Sequence, residues 1–224
     1  MLRIAHIIAA VILAANSHLA FADCSHEALP EPNLPHTSKE WRIWAYSSAA
    51  PSFLAQNATV LDAKGGILRA GDNGWTCMPG NPRGMSDPEN GWKNAHEAMP
   101  VCADAAGMAW MDAWIKGEKP NLERDAFMWM LHGDVGEDNT KPMVLNKSDA
   151  ADPSQWIESG PHMMLMPKNV ASLAAFTEDF TRGEPYVMFP GSDYAHLMIP
   201  VEGYYRYQPE SSPLHSPQRG AASK

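Results

Sequence analysis

Three short apolar segments, each carrying a histidine among methionines spaced two apart, constrain the fold most. They read Phe127-Met128-Trp129-Met130-Leu131-His132, His162-Met163-Met164-Leu165-Met166 and Ala195-His196-Leu197-Met198-Ile199. A spacing of two is the period of a β-strand, on which alternate side chains share a face. As strands, these segments put Met128, Met130 and His132 on one face, His162, Met164 and Met166 on one face, and His196 with Met198 on another. Paired side by side, they would gather imidazoles and thioethers on a single surface.

The rest of the chain supports an α+β fold. Thr59-Val60-Leu61 and Ile67-Leu68-Arg69 flank a glycine-containing turn and read as a β-hairpin. Strands are expected at 126–132, 162–166, 186–189 and 195–201, with the turn-rich Pro190-Gly191-Ser192-Asp193-Tyr194 joining an antiparallel pair. Ala103 to Lys116 is rich in alanine, methionine and tryptophan, lacks proline and is followed by Gly117, so it reads as a helix. A second helix is expected from Ala171 to Arg182, with Leu173, Phe176 and Phe180 on one face and Gly183 as its stop. Helices and strands do not alternate, which favours a mainly antiparallel sheet with two principal helices in a single domain.

The expected organisation is a signal peptide at 1–22, an extended lead-in at 23–57, a globular α+β domain at 58–207 and a disordered tail at 208–224. Met1-Leu2-Arg3 begins a basic, then apolar, leader that ends in the small-x-small site Ala20-Phe21-Ala22. Removing it leaves 202 of the 224 residues, enough for one substantial core. With 45% hydrophobic and 19% charged residues, the chain has the composition of an ordered protein. A formal charge of −9 without a basic cluster argues against nucleic acid as partner. No segment after the leader approaches the roughly 18 apolar residues of a spanning helix, so no membrane insertion is expected once it is removed.

In an exported chain, Cys77 and Cys102 read as a disulfide closing a loop rich in turn formers. Such a loop of about 25 residues contributes roughly 3 kcal/mol by restricting the unfolded chain. Cys24 is left over, either as a terminal thiol or paired with another chain.

The blocks Gly71-Asp72-Asn73-Gly74-Trp75-Thr76-Cys77-Met78-Pro79, Gly160-Pro161-His162-Met163-Met164 and Ala195-His196-Leu197-Met198-Ile199-Pro200-Val201 together resemble an uncharacterised family of exported bacterial proteins. The resemblance runs from about Ala58 to Val201. It implies a periplasmic or secreted location in the bacterial envelope, and no activity or catalytic residue comes with it.

Three chemical readings follow from the residues. The leading one is binding, with copper or a related soft metal held by some of His132, His162, His196, Met130, Met164 and Met198, since thioether and imidazole donors suit soft ions; a small ligand, with no residues assigned to it, is the other form of the same reading. Methionine is also an ordinary core filler, and the chain has fourteen. The second reading is a hydrolase-like enzyme using His132, Asp134, Ser192 and His196, although no Gly-x-Ser-x-Gly elbow is present. The bland counterpart is a turn in which Ser192 or Asp193 caps backbone donors. The third is an envelope protein that docks a ligand or partner on Trp75 and Trp92, beside and within the disulfide loop.

Overall fold

A computed structural model describes residues 30–83 and 91–215. The expected signal peptide, Cys24 and the last nine residues of the tail lie outside the described residues.

The chain begins its regular structure with helix α1 (Lys39–Ser47), capped by Ser38, whose hydroxyl accepts from Trp41 N at 3.2 Å. A single turn, α2 (Ser52–Ala55), follows Pro51. The lead-in expected to stay extended to residue 57 is therefore helical from Lys39. The reason is burial: Trp41, Ala45 and Tyr46 turn one side of α1 into the core, and Trp41 is fully enclosed. The hairpin of β1 (Thr59–Leu61) and β2 (Ile67–Arg69) is present, its turn held by Asp62 Oδ1 accepting from Lys64 N and Gly66 N. Next come β3 (Thr76–Pro79), the turn α3 (Ala95–Ala98), β4 (Pro100–Ala103) and helix α4 (Ala105–Lys116). Asp104 caps α4 by accepting from Gly107 N at 2.7 Å, and Gly117 ends it with φ +66°.

After α4 the chain forms β5 (Ala126–Met130), a two-residue ladder of β6 (Glu137–Asp138) with β7 (Trp156–Ile157), and β8 (His162–Met166). The last strands are β9 (Tyr186–Met188) and β10 (His196–Pro200). Eight strands form one sheet in the order β2-β1-β3-β4-β5-β8-β10-β9. Every pairing is antiparallel except β1 with β3. The expected α+β class, with a mainly antiparallel sheet and two principal helices, is the observed one.

The second principal helix is α1, not the segment 171–182. That segment makes two short 3-10 turns, Val170–Ala175 and Phe180–Arg182, around Thr177, whose carbonyl accepts from Val187 N at 2.7 Å. Local side chains compete with the helix here: Asn169, Thr177 and Asp179 each accept from a backbone N–H two residues on.

The sheet's two faces are covered differently. On one face α1 packs over Val60, Leu68 and the Cys77–Cys102 disulfide, whose cysteines stand directly opposite each other in β3 and β4. The other face carries Met78, Val101, Ala103, Met128, Met164 and Met198, with α4 contributing Trp110 above them.

Candidate functional site

The second face encloses a cavity of about 340 Å³. Strand registers explain its composition. Met128 stands opposite Met164, Met164 opposite Met198, and Met130 opposite His162, so three strands place their even-numbered side chains on one surface. Met166 and Met188 extend that surface, and Met78 and Val101 continue it on β3 and β4. Helix α4 lays Trp110, Met111, Trp114 and Ile115 across it. Segments outside the sheet complete the wall with Met99, Met143, Leu145 and Phe189. Ten of the fourteen methionines line this one space.

Its two ends differ. Antiparallel pairing sets His162 opposite Pro200, four residues along β10 from His196, so the two histidines are separated by roughly 13 Å along the strands. At one end His196 lies edge-on to Trp110 and Phe189, with Trp114 stacked on both Trp110 and Phe189. At the other end are His162, Asp134 and Glu137. Buried Ser159 donates to Asp134 Oδ2, and Gly136 N donates to Asp134 Oδ1 at 3.0 Å.

Both wall histidines have a fixed tautomer. His162 Nδ1 is 2.8 Å from the Gly160 carbonyl and His196 Nδ1 is 2.9 Å from that of Tyr194. A carbonyl oxygen so close requires the proton on Nδ1, because two lone pairs would otherwise face each other. Each Nε2 is left as a lone-pair acceptor. That of His162 is buried with no hydrogen-bond partner. Burial holds both imidazoles neutral, lowering the pKa of His162 and pushing that of His196 down to about 4. Burial, with the Asp134 carboxylate second, pushes Glu137 up to about 8, against the opposing pull of the Arg83 guanidinium.

Arg83 ties the irregular wall together. Its Nε donates to the Leu145 carbonyl at 2.7 Å, Nη2 to the Gly136 carbonyl at 2.6 Å, and Nη1 approaches Met99 Sδ at 3.7 Å. Among the described residues, the non-glycine residues with positive φ are Met99 (+46°), Met143 (+63°) and Phe189 (+55°), and all three line the cavity. Side chains with a Cβ avoid that conformation, at a cost of order 1–3 kcal/mol each. Ile115 and Met143 are exposed wall residues, at 65% and 57%, and mark an apolar rim where the cavity meets solvent.

Five of the six residues read as a binding set line this cavity: His162, His196, Met130, Met164 and Met198. His132 does not. Strand β5 ends at Met130, and a turn through Gly133 (φ +71°) carries His132 toward α1. There Ser48 Oγ lies 2.8 Å from His132 Nε2, and the His132 carbonyl accepts from His96 Nδ1 at 2.7 Å. A shared ion on His162 and His196 is also ruled out by their separation along the strands. Among the described residues, no three of His, Cys, Asp and Glu form a metal-holding group.

The hydrolytic set is dispersed too. Ser192 Oγ donates to the Phe189 carbonyl and accepts from Tyr194 N, as a turn residue does. Asp193 pairs with Lys119 on the surface, while Asp134 serves Ser159 rather than His132. Of the two tryptophans expected on a docking surface, Trp92 is buried and donates from Nε1 to Tyr46 OH at 3.0 Å. Trp75 is half-buried against the α1 cluster.

Sequence reading missed Met99, Met143, Met188, Arg83 and Glu137. Met188 alternates with Tyr186 in a strand that was expected, so its face was open to inference. Met99, Met143 and Arg83 sit on irregular backbone with no period to read, and Glu137 on a two-residue strand too short to show one. No protein-family model matches the chain, and neither does any curated protein or solved structure.

Proposed function

We propose that this chain is a binding protein that takes a small, largely apolar molecule into its methionine-lined cavity. The cavity itself carries the proposal: its volume of about 340 Å³ lies in the range of small-molecule sites, and its wall is apolar, with His196 at one end and His162, Asp134 and Glu137 at the other. Methionine suits such a wall, because an unbranched, polarisable side chain reshapes itself around a guest. Three strained residues on the same wall support the reading, since strain of this kind concentrates where a ligand is held. The Cys77–Cys102 disulfide suits an oxidising compartment, in keeping with export to the bacterial envelope.

The test is titration of the folded protein with N-phenyl-1-naphthylamine, a neutral dye that fluoresces in apolar surroundings. One saturable site is expected, weakened at least ~tenfold by Met164→Trp, which fills the cavity, and by Ile115→Asp, which charges its rim. Absence of saturable binding, or binding indifferent to both changes, rejects the proposal.

A soft-metal reading has separate support. Met128, Met164 and Met198 stand abreast on three adjacent strands, with one imidazole two residues along from Met164 or from Met198. Three thioethers and one neutral imidazole form a donor set for Cu(I). Anaerobic Cu(I) titration against a competing chelator is expected to show one site, lost in the Met164→Leu, Met198→Leu double variant. Retention of full affinity by that variant removes the metal reading.

A further inference from the structure

The binding reading leaves open what kind of molecule the cavity prefers, and the two unlike ends answer that. Along most of its length the wall offers thioethers and the rings of Trp110, Trp114 and Phe189. Sulfur packs favourably against aromatic rings, and rings against rings, so a flat aromatic guest gains contacts that a branched aliphatic one of equal volume does not.

The polar end is rich in acceptors. His162 Nε2 is a lone pair without a partner, because its Nδ1 proton is committed to the Gly160 carbonyl. Asp134 adds carboxylate oxygens, and the protonated Glu137 adds a carbonyl oxygen beside its O–H. The cation nearby, Arg83, is engaged by the Leu145 and Gly136 carbonyls and by Met99 Sδ, so its guanidinium serves the wall rather than a guest. A buried acceptor without a donor is costly, and a guest that supplies the donor recovers that cost. A guest carrying a carboxylate would instead bring a second negative charge beside the Asp134 carboxylate, into an end where burial and Asp134 already keep Glu137 protonated. His162 Nε2 lies just beneath the wall, with Met130 directly across and Met164 two residues along. Methionine turns on three side-chain bonds, so these neighbours can yield to a small polar head.

We infer that the cavity selects a flat aromatic molecule whose head group donates a hydrogen bond and carries no negative charge, a phenol or an aromatic amine by class. The inference rests on the binding reading above.

Competition of naphthalene, 2-naphthol and 2-naphthoate against bound N-phenyl-1-naphthylamine tests it, because the three share one ring system and differ only in the head. The expected order is 2-naphthol tightest, by ~tenfold over naphthalene, and 2-naphthoate weakest. In His162→Phe the advantage of 2-naphthol over naphthalene is expected to fall within ~threefold, while naphthalene itself still competes and so reports an intact cavity. Should that variant fail to fold, the order measured in the unmodified protein decides alone. Equal affinity for naphthalene and 2-naphthol, or tightest binding of 2-naphthoate, overturns the inference and leaves the cavity as a binding site. Failure of all three to displace a dye that does bind overturns it as well. Failure of the dye itself removes the binding reading along with it.

Discussion

Glu137 holds its proton at the polar end of the cavity because burial and Asp134 penalise the charged form, and this sets a pH dependence. Its pKa is pushed up to about 8 from a reference of 4.5, so between these values the folded protein holds a proton that the unfolded chain has released. Stability therefore falls as pH rises through that window. The histidines act the other way. His132 and His196 are pushed down to about 4 from 6.5 by burial, so below pH 6.5 the unfolded chain takes up protons that the fold refuses. Stability is expected to peak near pH 6.5, to fall toward pH 4 through the histidines and to fall toward pH 8 through Glu137. Urea denaturation at pH 4.5, 6.5 and 8 checks this. Glu137→Gln is expected to flatten the alkaline side and to steepen the acidic side between pH 4.5 and 6.5, where Glu137 opposes the histidines; an unchanged alkaline slope contradicts the assignment.

At the scale of elements, the turns between strands build the site as much as the strands do. Gly160 is packed so tightly that a Cβ there would lie 2.3 Å from the Gly203 carbonyl oxygen and 2.6 Å from that of Tyr204. Its own carbonyl fixes His162, so Gly160→Ala forces backbone apart and disturbs the imidazole together. A loss of stability above ~2 kcal/mol is expected by chemical denaturation. Helix α1 depends on one large anchor: Trp41→Ala is expected to cost about 3–5 kcal/mol, because the indole is fully enclosed beneath the sheet. Arg83→Met tests the irregular wall. Removing its bonds to Leu145 and Gly136 is expected to weaken dye binding ~tenfold while lowering stability by only ~1–2 kcal/mol, since the core strands do not depend on it.

Across the whole molecule, the sheet divides two tasks. Its α1 face carries the disulfide and the tightly packed tryptophans; its α4 face carries the cavity. A Cys77→Ala, Cys102→Ala double variant is therefore expected to lose on the order of 2–4 kcal/mol while binding the dye within ~twofold of the parent. Denaturation and titration of the same sample check both halves, and coupled losses would show that the faces are not independent. Among the described residues, no helix is long and apolar enough to cross a membrane.

Local pattern by itself determined the first hairpin, the four later strands, the long helix and the face that His162 and His196 share with the methionines, but not β3, β4, β6 and β7. His162–Met166 alternates with a period of two, and Ala105–Lys116 runs between an aspartate cap and a glycine stop; such signals act over a few residues and need no distant partner. The pairing of Cys77 with Cys102 was legible for a similar reason, being a matter of count and compartment. What only the tertiary structure decided was who meets whom. Antiparallel register set His162 and His196 at opposite ends of one cavity, a turn at Gly133 sent His132 to the other face, loops without periodicity delivered Met99 and Met143, and the two-residue strand β6 delivered Glu137. The physical reason is that a strand's period fixes which way a side chain points, whereas register and loop closure fix where along the sheet it arrives, and those depend on the packing of the entire chain.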